Sequence, residues 1–156
     1  MSQKVLMVNP SKCTGCRTCE MACSLQNEQK CSPALSRTRV IKFEAKGVNI
    51  PTVCSHCSKP QCLAACPTGA ITRDKLTGAV IINEDECVGC LSCVQACSFG
   101  QVSFHPEKKV AFKCNLCGGD PTCAKFCPTG AISFVSAEKY TMAKRRKIYT
   151  KFAVEG

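Results

Sequence analysis

Short apolar and alternating segments recur along the chain and predict short β-strands. The six predicted strands are Val5–Val8, Val40–Phe43, Val80–Ile82, Val102–Phe104, Val110–Phe112 and Ala131–Val135. Apolar helical turns are predicted between them, with the clearest at Leu63–Cys66 and Leu91–Cys97. Residues 27–36 and 74–78 are predicted as surface loops or turns. The pattern therefore predicts a small α+β protein.

The C-terminal segment Ser136–Phe152 differs from the rest of the chain. Ser136 is suited to be an N-cap, and a helix is predicted from it to about Tyr149. The basic run Lys144–Lys147 lies near the end of this helix. It is either a solvated face with cations at the favourable helix end, or a docking element for an acidic partner surface. No periodic apolar stripe decides between these two interpretations.

The chain is unusually rich in cysteine, since 17 of its 156 residues are Cys, and it contains no Trp. The length suits one domain or two very small ones. The first residues contain no apolar run of the kind that a signal peptide needs, and no segment approaches the ~18 apolar residues that cross a membrane. The chain is therefore expected to be cytoplasmic, where disulfides rarely persist and clustered cysteines usually hold metal.

Sixteen of the cysteines form four groups of four. The groups are Cys13, Cys16, Cys19 and Cys23; Cys54, Cys57, Cys62 and Cys66; Cys87, Cys90, Cys93 and Cys97; Cys114, Cys117, Cys123 and Cys127. The first and third groups have the spacing C-x2-C-x2-C-x3-C, and the second and fourth widen the middle gap. Because compact and wide groups alternate and CPTGAI occurs twice, the chain is interpreted as a duplicated half.

This spacing is that of the bacterial ferredoxins, in which the fourth Cys binds a neighbouring cluster. Three closely spaced cysteines wrap one 4Fe–4S cubane, and the x3 interval carries the fourth about one helical turn onward. Pro67 and Pro128 end that turn in the wide groups, whereas Ser24 and Ser98 replace Pro in the compact groups. Zinc ribbons also use C-x2-C pairs but rarely place four cysteines so closely, so iron–sulfur clusters are favoured over zinc or disulfides.

The formal net charge of +10 suggests nucleic-acid binding until the clusters are counted. Sixteen thiolates with four cluster cores of roughly +2 each would bring the total to about +2. The basic excess is therefore interpreted as an offset to the clusters, and nucleic-acid binding is not expected.

Three further residues could take part in the chemistry. Cys31 has no spaced partner, so it is interpreted as a semi-buried structural thiol, with a substitute ligand or redox thiol as the alternative. His56 lies between two cysteines and is expected to donate a hydrogen bond to a cluster or cover it, since all four cysteines of its group remain. His105 precedes Pro106 in what is expected to be an ordinary turn.

From Cys13 to Ile132 the chain resembles the four-cluster ferredoxin-type subunits of multisubunit oxidoreductases. Relatives include subunits of dimethyl sulfoxide reductase, formate dehydrogenase, formate hydrogenlyase and carbon monoxide dehydrogenase. CSHCSKPQCLAACPTGAI is characteristic, and CNLCGGDPTCAKFCPTGAI is most similar to the small iron–sulfur subunit of tungsten aldehyde oxidoreductases or to the ferredoxin linked to carbon monoxide dehydrogenase. The resemblance implies two ferredoxin-like modules, an outer one formed by residues 1–36 and 110–135 and an inner one formed by residues 37–109. A C-terminal basic helix, residues 136–156, follows them.

The resemblance also implies which cysteines share a cluster, because the first group pairs with the fourth and the second with the third. The four implied ligand sets are Cys13, Cys16, Cys19 and Cys127; Cys114, Cys117, Cys123 and Cys23; Cys54, Cys57, Cys62 and Cys97; Cys87, Cys90, Cys93 and Cys66. They are called the first, second, third and fourth sets below. Pairing of consecutive groups, one with two and three with four, stays an alternative.

The expected function is electron relay through four 4Fe–4S clusters, since no catalytic triad, phosphate loop or dinucleotide motif occurs. The expected partners are a larger catalytic subunit that holds tungsten or molybdenum, and an NAD- or flavin-binding subunit, ferredoxin or hydrogenase. Alternatives are a ferredoxin of carbon monoxide dehydrogenase or hydrogenase, a standalone polyferredoxin, and, in a different class, an iron–sulfur redox sensor. Duplicated halves also permit head-to-tail self-association.

Overall fold

Four two-stranded antiparallel ribbons and five α-helices make up the fold. A computed structural model describes residues 4–154, and it describes the side chains of residues 4–150. The strands are β1 Lys4–Val8, β2 Arg39–Phe43, β3 Val48–Thr52, β4 Ile71–Arg73, β5 Val80–Ile82, β6 Val102–Phe104, β7 Ala111–Lys113 and β8 Ile132–Ser136. The helices are α1 Thr18–Glu28, α2 Gln61–Ala64, α3 Ser92–Ala96, α4 Thr122–Lys125 and α5 Ala137–Val154. The predicted α+β class with ferredoxin-like modules is confirmed.

The two ends of the chain meet in one ribbon. Strand β1 pairs with β8 from Lys4 opposite Ser136 to Val8 opposite Ile132. Helices α1 and α4 pack together beside this ribbon, and the β2–β3 hairpin contacts α1 through β2. The buried side chains of this region are Cys19, Val40, Cys123 and Ile132. The outer part of the fold is thus closed by segments from opposite ends of the sequence.

A second core lies in the middle of the chain. The ribbons β4–β5 and β6–β7 face each other through β5 and β7, and α2 packs on α3. The buried residues of this core are Cys62, Ile71, Val80, Cys93, Val102 and Ala111. Cysteines take up positions in both cores that aliphatic side chains occupy in most small proteins, so the sites lie inside the packing.

All six predicted strands are confirmed to within a residue at each end, but two strands were missed. Strand β3 contains Asn49 and Pro51, and Pro weakens a strand prediction because it cannot donate to a ladder. Strand β4 is only three residues long, Ile71–Arg73, and is too short to show alternation. Asp74–Gly78 forms the expected turn, in which Gly78 N donates to Asp74 O at 2.9 Å.

Two helices are longer than predicted. Helix α1 continues through the start of the predicted loop to Glu28, and no Gly or Pro interrupts it. Ser136 caps α5 as predicted by accepting a hydrogen bond from Lys139 N at 3.4 Å. Helix α5 runs beyond Tyr149 to Val154, since no Gly or Pro interrupts it. Within residues 4–154 no helix combines the length and apolarity that spanning a bilayer requires.

Candidate iron–sulfur sites

The sixteen grouped cysteines come together in four places. The cysteines of the first, third and fourth sets each line one cavity: Cys13, Cys16, Cys19 and Cys127; Cys54, Cys57, Cys62 and Cys97; Cys66, Cys87, Cys90 and Cys93. In the second set, burial raises the pKa of the Cys123 thiol, and the adjacent thiols of Cys114, Cys23 and Cys117 raise it further. Each place therefore holds three cysteines of one group and one from another group.

The four sets lie in a row. Cys19 of the first set and Cys123 of the second are packed in the same buried core. Lys113 lines the cavity of the third set and immediately precedes Cys114 of the second set, so the second and third sets are neighbours. Cys62 and Cys93 share one core and connect the third set to the fourth. The order along the molecule is first, second, third, fourth.

Each group bends around its site with a left-handed residue just before its second cysteine. This residue is Gly15, His56, Gly89 and Leu116 in the four groups, with φ of 72°, 44°, 67° and 54°. Gly avoids the steric cost of this conformation, whereas His and Leu adopt it only under constraint. The constraint is packing, because Leu116 is buried and His56 accepts a hydrogen bond from Val80 N at 3.0 Å.

Backbone N–H groups surround the sulfur atoms in every set. The donors lie 3.3–3.5 Å from the sulfurs and are Arg37 N to Cys23, His56 N to Cys54, Gln101 N to Cys97, Ala111 N to Cys87, Leu116 N to Cys114 and Ile132 N to Cys127. Such donors stabilise thiolate sulfur and tune the potential of iron–sulfur sites.

The cysteines within each group differ in solvent exposure. The third cysteine of each group, Cys19, Cys62, Cys93 or Cys123, is buried, and burial raises the pKa of its thiol. The exposed Cys16 and Cys90 have lowered pKa values because hydroxyl groups two residues later, on Thr18 and Ser92, lie 3.4 Å from their sulfurs. Cationic iron would displace the protons of the buried thiols on binding.

The residues present fit iron–sulfur clusters. Each set offers four soft sulfur donors, the ligand type that such clusters use. Within residues 4–150 no three His, Cys, Asp or Glu side chains are gathered closely enough to hold a single metal ion. The cysteines of the first, third and fourth sets surround open cavities, and N–H donors reach their sulfurs from the walls.

Of the three remaining residues, Cys31 and His105 differ from expectation. Cys31 is exposed and not semi-buried, and it lines none of the three cavities. His105 lies in a turn as predicted, but it is buried: its Nδ1 accepts from Glu107 N and Lys108 N, and its Nε2 lies 3.5 Å from Glu28. His56 is half-buried and lines the cavity of the third set.

Sequence reasoning missed three charged residues with buried side chains. Glu20, Glu28 and Lys113 have side chains only 3–5% exposed. Nothing in the sequence signals this, since Glu and Lys are mostly exposed in proteins. Glu20 Oε1 accepts a hydrogen bond from Val40 N at 2.6 Å and so connects α1 to the β2–β3 hairpin.

Comparison with known families finds two matching models. A 4Fe–4S dicluster domain matches residues 45–137, and a 4Fe–4S binding domain matches residues 6–24. Among solved structures, a chain of the active-site complex BamBC of benzoyl coenzyme A reductase with benzoyl-CoA has a TM-score of 0.52 and 22% identity. The match covers 100% of this chain and 99% of that one, and it shows the same fold.

Curated relatives agree with these family models. The chain is 40% identical to the polyferredoxin-like subunit of aliphatic sulfonate oxidoreductase from Pyrococcus furiosus, over 95% of this chain and 83% of that protein. It is 37% identical to the electron transport protein HydN of Escherichia coli, over 96% of this chain and 99% of that protein. It is 38% identical to the E. coli protein NrfC, over 80% of this chain and 61% of that protein. The chain therefore belongs to the ferredoxin-type 4Fe–4S electron-transfer subunits of oxidoreductase systems, carries multiple 4Fe–4S clusters, and is an electron carrier, not a catalytic enzyme.

Proposed function

We propose that this chain carries four 4Fe–4S clusters, one on each cysteine set, and relays electrons between a catalytic oxidoreductase subunit and a second redox partner. Each bound cluster supplies one-electron redox chemistry. The chain's own residues supply the sulfur ligands, the N–H donors that set the potentials, and the apolar walls that exclude water.

The observation that carries this proposal is the single row of four sets. The core shared by Cys19 and Cys123 connects the first and second sets, Lys113 and Cys114 connect the second and third, and the core shared by Cys62 and Cys93 connects the third and fourth. The exposed Cys16 is at one end of the row and the exposed Cys90 at the other. A row with both ends near the surface suits a relay between two partners.

The proposed catalytic partner is a tungsten or molybdenum oxidoreductase of the aldehyde-oxidising kind. The sulfonate oxidoreductase relative supports a larger oxidoreductase complex, since its name makes it one subunit of such an enzyme. Affinity purification of the tagged chain from its native host under anaerobic conditions should recover a larger subunit that contains tungsten or molybdenum. Recovery of the chain alone, still able to exchange electrons in solution, would instead support a standalone polyferredoxin.

A ferredoxin of carbon monoxide dehydrogenase or hydrogenase is the second candidate, which recovery of a nickel-containing subunit would favour. HydN, named an electron transport protein, is equally compatible with this candidate. The redox-sensor alternative depends on the exposed Cys31 and the basic tail alone. We therefore retain electron transfer as the proposal.

We further propose that the cysteines of each set ligate the same cluster, and a double-variant experiment can separate this from pairing of consecutive groups. Cys127→Ser and Cys13→Ser remove ligands of one set, so iron loss should be no greater in the double variant than in either single variant. Cys127→Ser with Cys87→Ser should lose the iron of two clusters, because non-additivity is confined to coupled positions. Pairing of consecutive groups predicts the opposite result in both combinations.

Helix α5 is proposed to dock on an acidic surface of the partner. The side chains of its residues 137–150 are almost all exposed, with Met142 62% and Ile148 48% exposed, and the helix packs mainly on β1 and β8. Changing Lys144, Arg145, Arg146 and Lys147 to Gln should leave iron content unchanged and weaken association at low salt by about tenfold. Binding measured against salt concentration checks this, because the difference should shrink as salt screens charge. Unchanged affinity at low salt would contradict docking.

A further inference from the structure

Lys113 is a buried cation without a carboxylate partner. Its side chain is 3% exposed, and its Nζ donates to the carbonyl oxygens of Val80 and Cys114. Among residues 4–150 no Asp or Glu forms an ion pair with it. A buried charge is costly unless opposite charge compensates it. The compensation must come from the sites that it adjoins.

Those sites are the second and third sets. Lys113 lines the cavity of the third set and immediately precedes Cys114 of the second set. The Lys113 side chain shares that cavity with Cys54 and Cys62, and its Nζ donates to the carbonyl oxygen of Cys114. The ammonium therefore stabilises negative charge on the sulfur atoms around it.

His56 adds a hydrogen-bond donor to the same cavity. Its Nδ1 accepts from Val80 N at 3.0 Å, so the proton of the neutral ring is on Nε2. This Nε2 is buried and has no hydrogen-bond partner within the described part of the chain. A buried N–H without a partner is costly, and a sulfur atom held by the third set would satisfy it.

The other cavities lack a buried cation. In the described structure, no charged side chain lines the cavity of the fourth set. In the described structure, the charged side chain that lines the cavity of the first set is Arg17, which is 49% exposed and lies 3.9 Å from the buried carboxylate of Glu20. Among the described residues of these three cavities, a buried cation therefore lines that of the third set alone.

We propose that Lys113, assisted by His56, makes the third set the site of highest reduction potential and therefore the resting place of electrons in the relay. This rests on the proposed function, because it requires a cluster in that cavity. One electron enters, no bond breaks and no proton is taken up, and the added negative charge lies beside the ammonium. Electrons entering at either end then collect inside the molecule before they leave.

A redox titration of the anaerobically purified protein tests the proposal. Dithionite is the reductant, and EPR monitors the reduction of each cluster. The signal of the third set is identified as the one altered by Cys57→Ser. Lys113→Gln should lower the reduction equilibrium constant of that signal by at least about tenfold, which is about 59 mV for one electron. Lys113→Arg should keep most of the wild-type value, since it retains the charge.

The matched control is Lys59→Gln, because Lys59 lines the same cavity but is exposed, and water screens its charge. Its midpoint should not move. An unchanged midpoint in Lys113→Gln, or an equal shift in Lys59→Gln, would overturn the proposal. If Lys113→Gln fails to bind the full amount of iron, His56→Leu decides alone: a shift to lower potential in the same signal supports the proposal, and no shift rejects it. Iron and sulfide content of the wild-type protein test the clusters themselves separately.

Discussion

Gly89→Ala should unfold the region around the fourth set. Gly89 has φ +67°, and a Cβ added there would lie 2.3 Å from the backbone oxygen of Lys109. The left-handed conformation costs a non-Gly residue roughly 1–2 kcal/mol. The clash adds about 1–3 kcal/mol, because a backbone atom cannot rotate away. We therefore expect destabilisation of about 3 kcal/mol and loss of iron from the fourth set.

Two other glycines provide matched controls. Gly100 has φ +60° and no heavy atom within 4 Å of an added Cβ, so Gly100→Ala should show only the conformational cost, roughly 1–2 kcal/mol. Gly15→Ala should be intermediate, since its Cβ would meet the end of the Asn49 side chain at 2.5 Å, which can move. The denaturant midpoint for loss of cluster absorbance and the iron bound per chain measure this ranking. Equal losses in all three variants would contradict the role of Lys109.

Glu28→Gln should have the second large effect, because Glu28 connects the end of α1 to the middle of the chain. Its side chain is 5% exposed and lies 3.1 Å from Arg37, 2.9 Å from Lys108 and 3.5 Å from His105. Arg37 and Lys108 also reach Glu84, at 3.7 Å and 2.9 Å. Removing one member of a buried ion pair costs about 3–5 kcal/mol, and we expect about 3 kcal/mol because Glu84 compensates in part.

The control for this variant is Glu107→Gln, which breaks the ion pair of Lys30 and Glu107. Those side chains are 58% and 67% exposed, and exposed pairs contribute about 0–1 kcal/mol. Denaturant unfolding of both variants at pH 7 measures the difference. A loss in Glu28→Gln no larger than in Glu107→Gln would show that the ion-pair network does not hold the two parts of the fold together.

The contribution of Glu28 should also depend on pH. Burial acts to raise its pKa, but hydrogen bonds from Lys108 and Arg37 outweigh burial and hold the pKa below its ordinary value of 4.5. The folded protein thus binds this proton less readily than the unfolded chain, so the stabilisation is complete above pH 4.5 and is lost as the pH falls through the lower folded value. The stability difference between wild type and Glu28→Gln should therefore shrink in acid.

Cysteine spacing predicted the ligand-rich groups, and the pattern of apolar and alternating residues predicted the α+β class and most strands, because those features are local in the sequence. The pairing of β1 with β8 is not local, and only the family resemblance suggested that distant groups meet. Buried charges such as Lys113 and Glu28 could not be predicted, since their burial depends on neighbours far away in the chain. His105 was placed in a turn correctly, but its burial follows from contact with α1, which no local pattern reveals.

The meeting of both chain ends in one ribbon has a consequence for biosynthesis. The inner core is built from residues 62–111 and can form as soon as this stretch leaves the ribosome. The outer part must wait, because Cys13 shares its cavity with Cys127 and β1 needs β8 as its partner. During translation the first three cysteines therefore emerge long before their fourth companion. We expect iron to be loaded in the middle of the protein first and at its N-terminal end last.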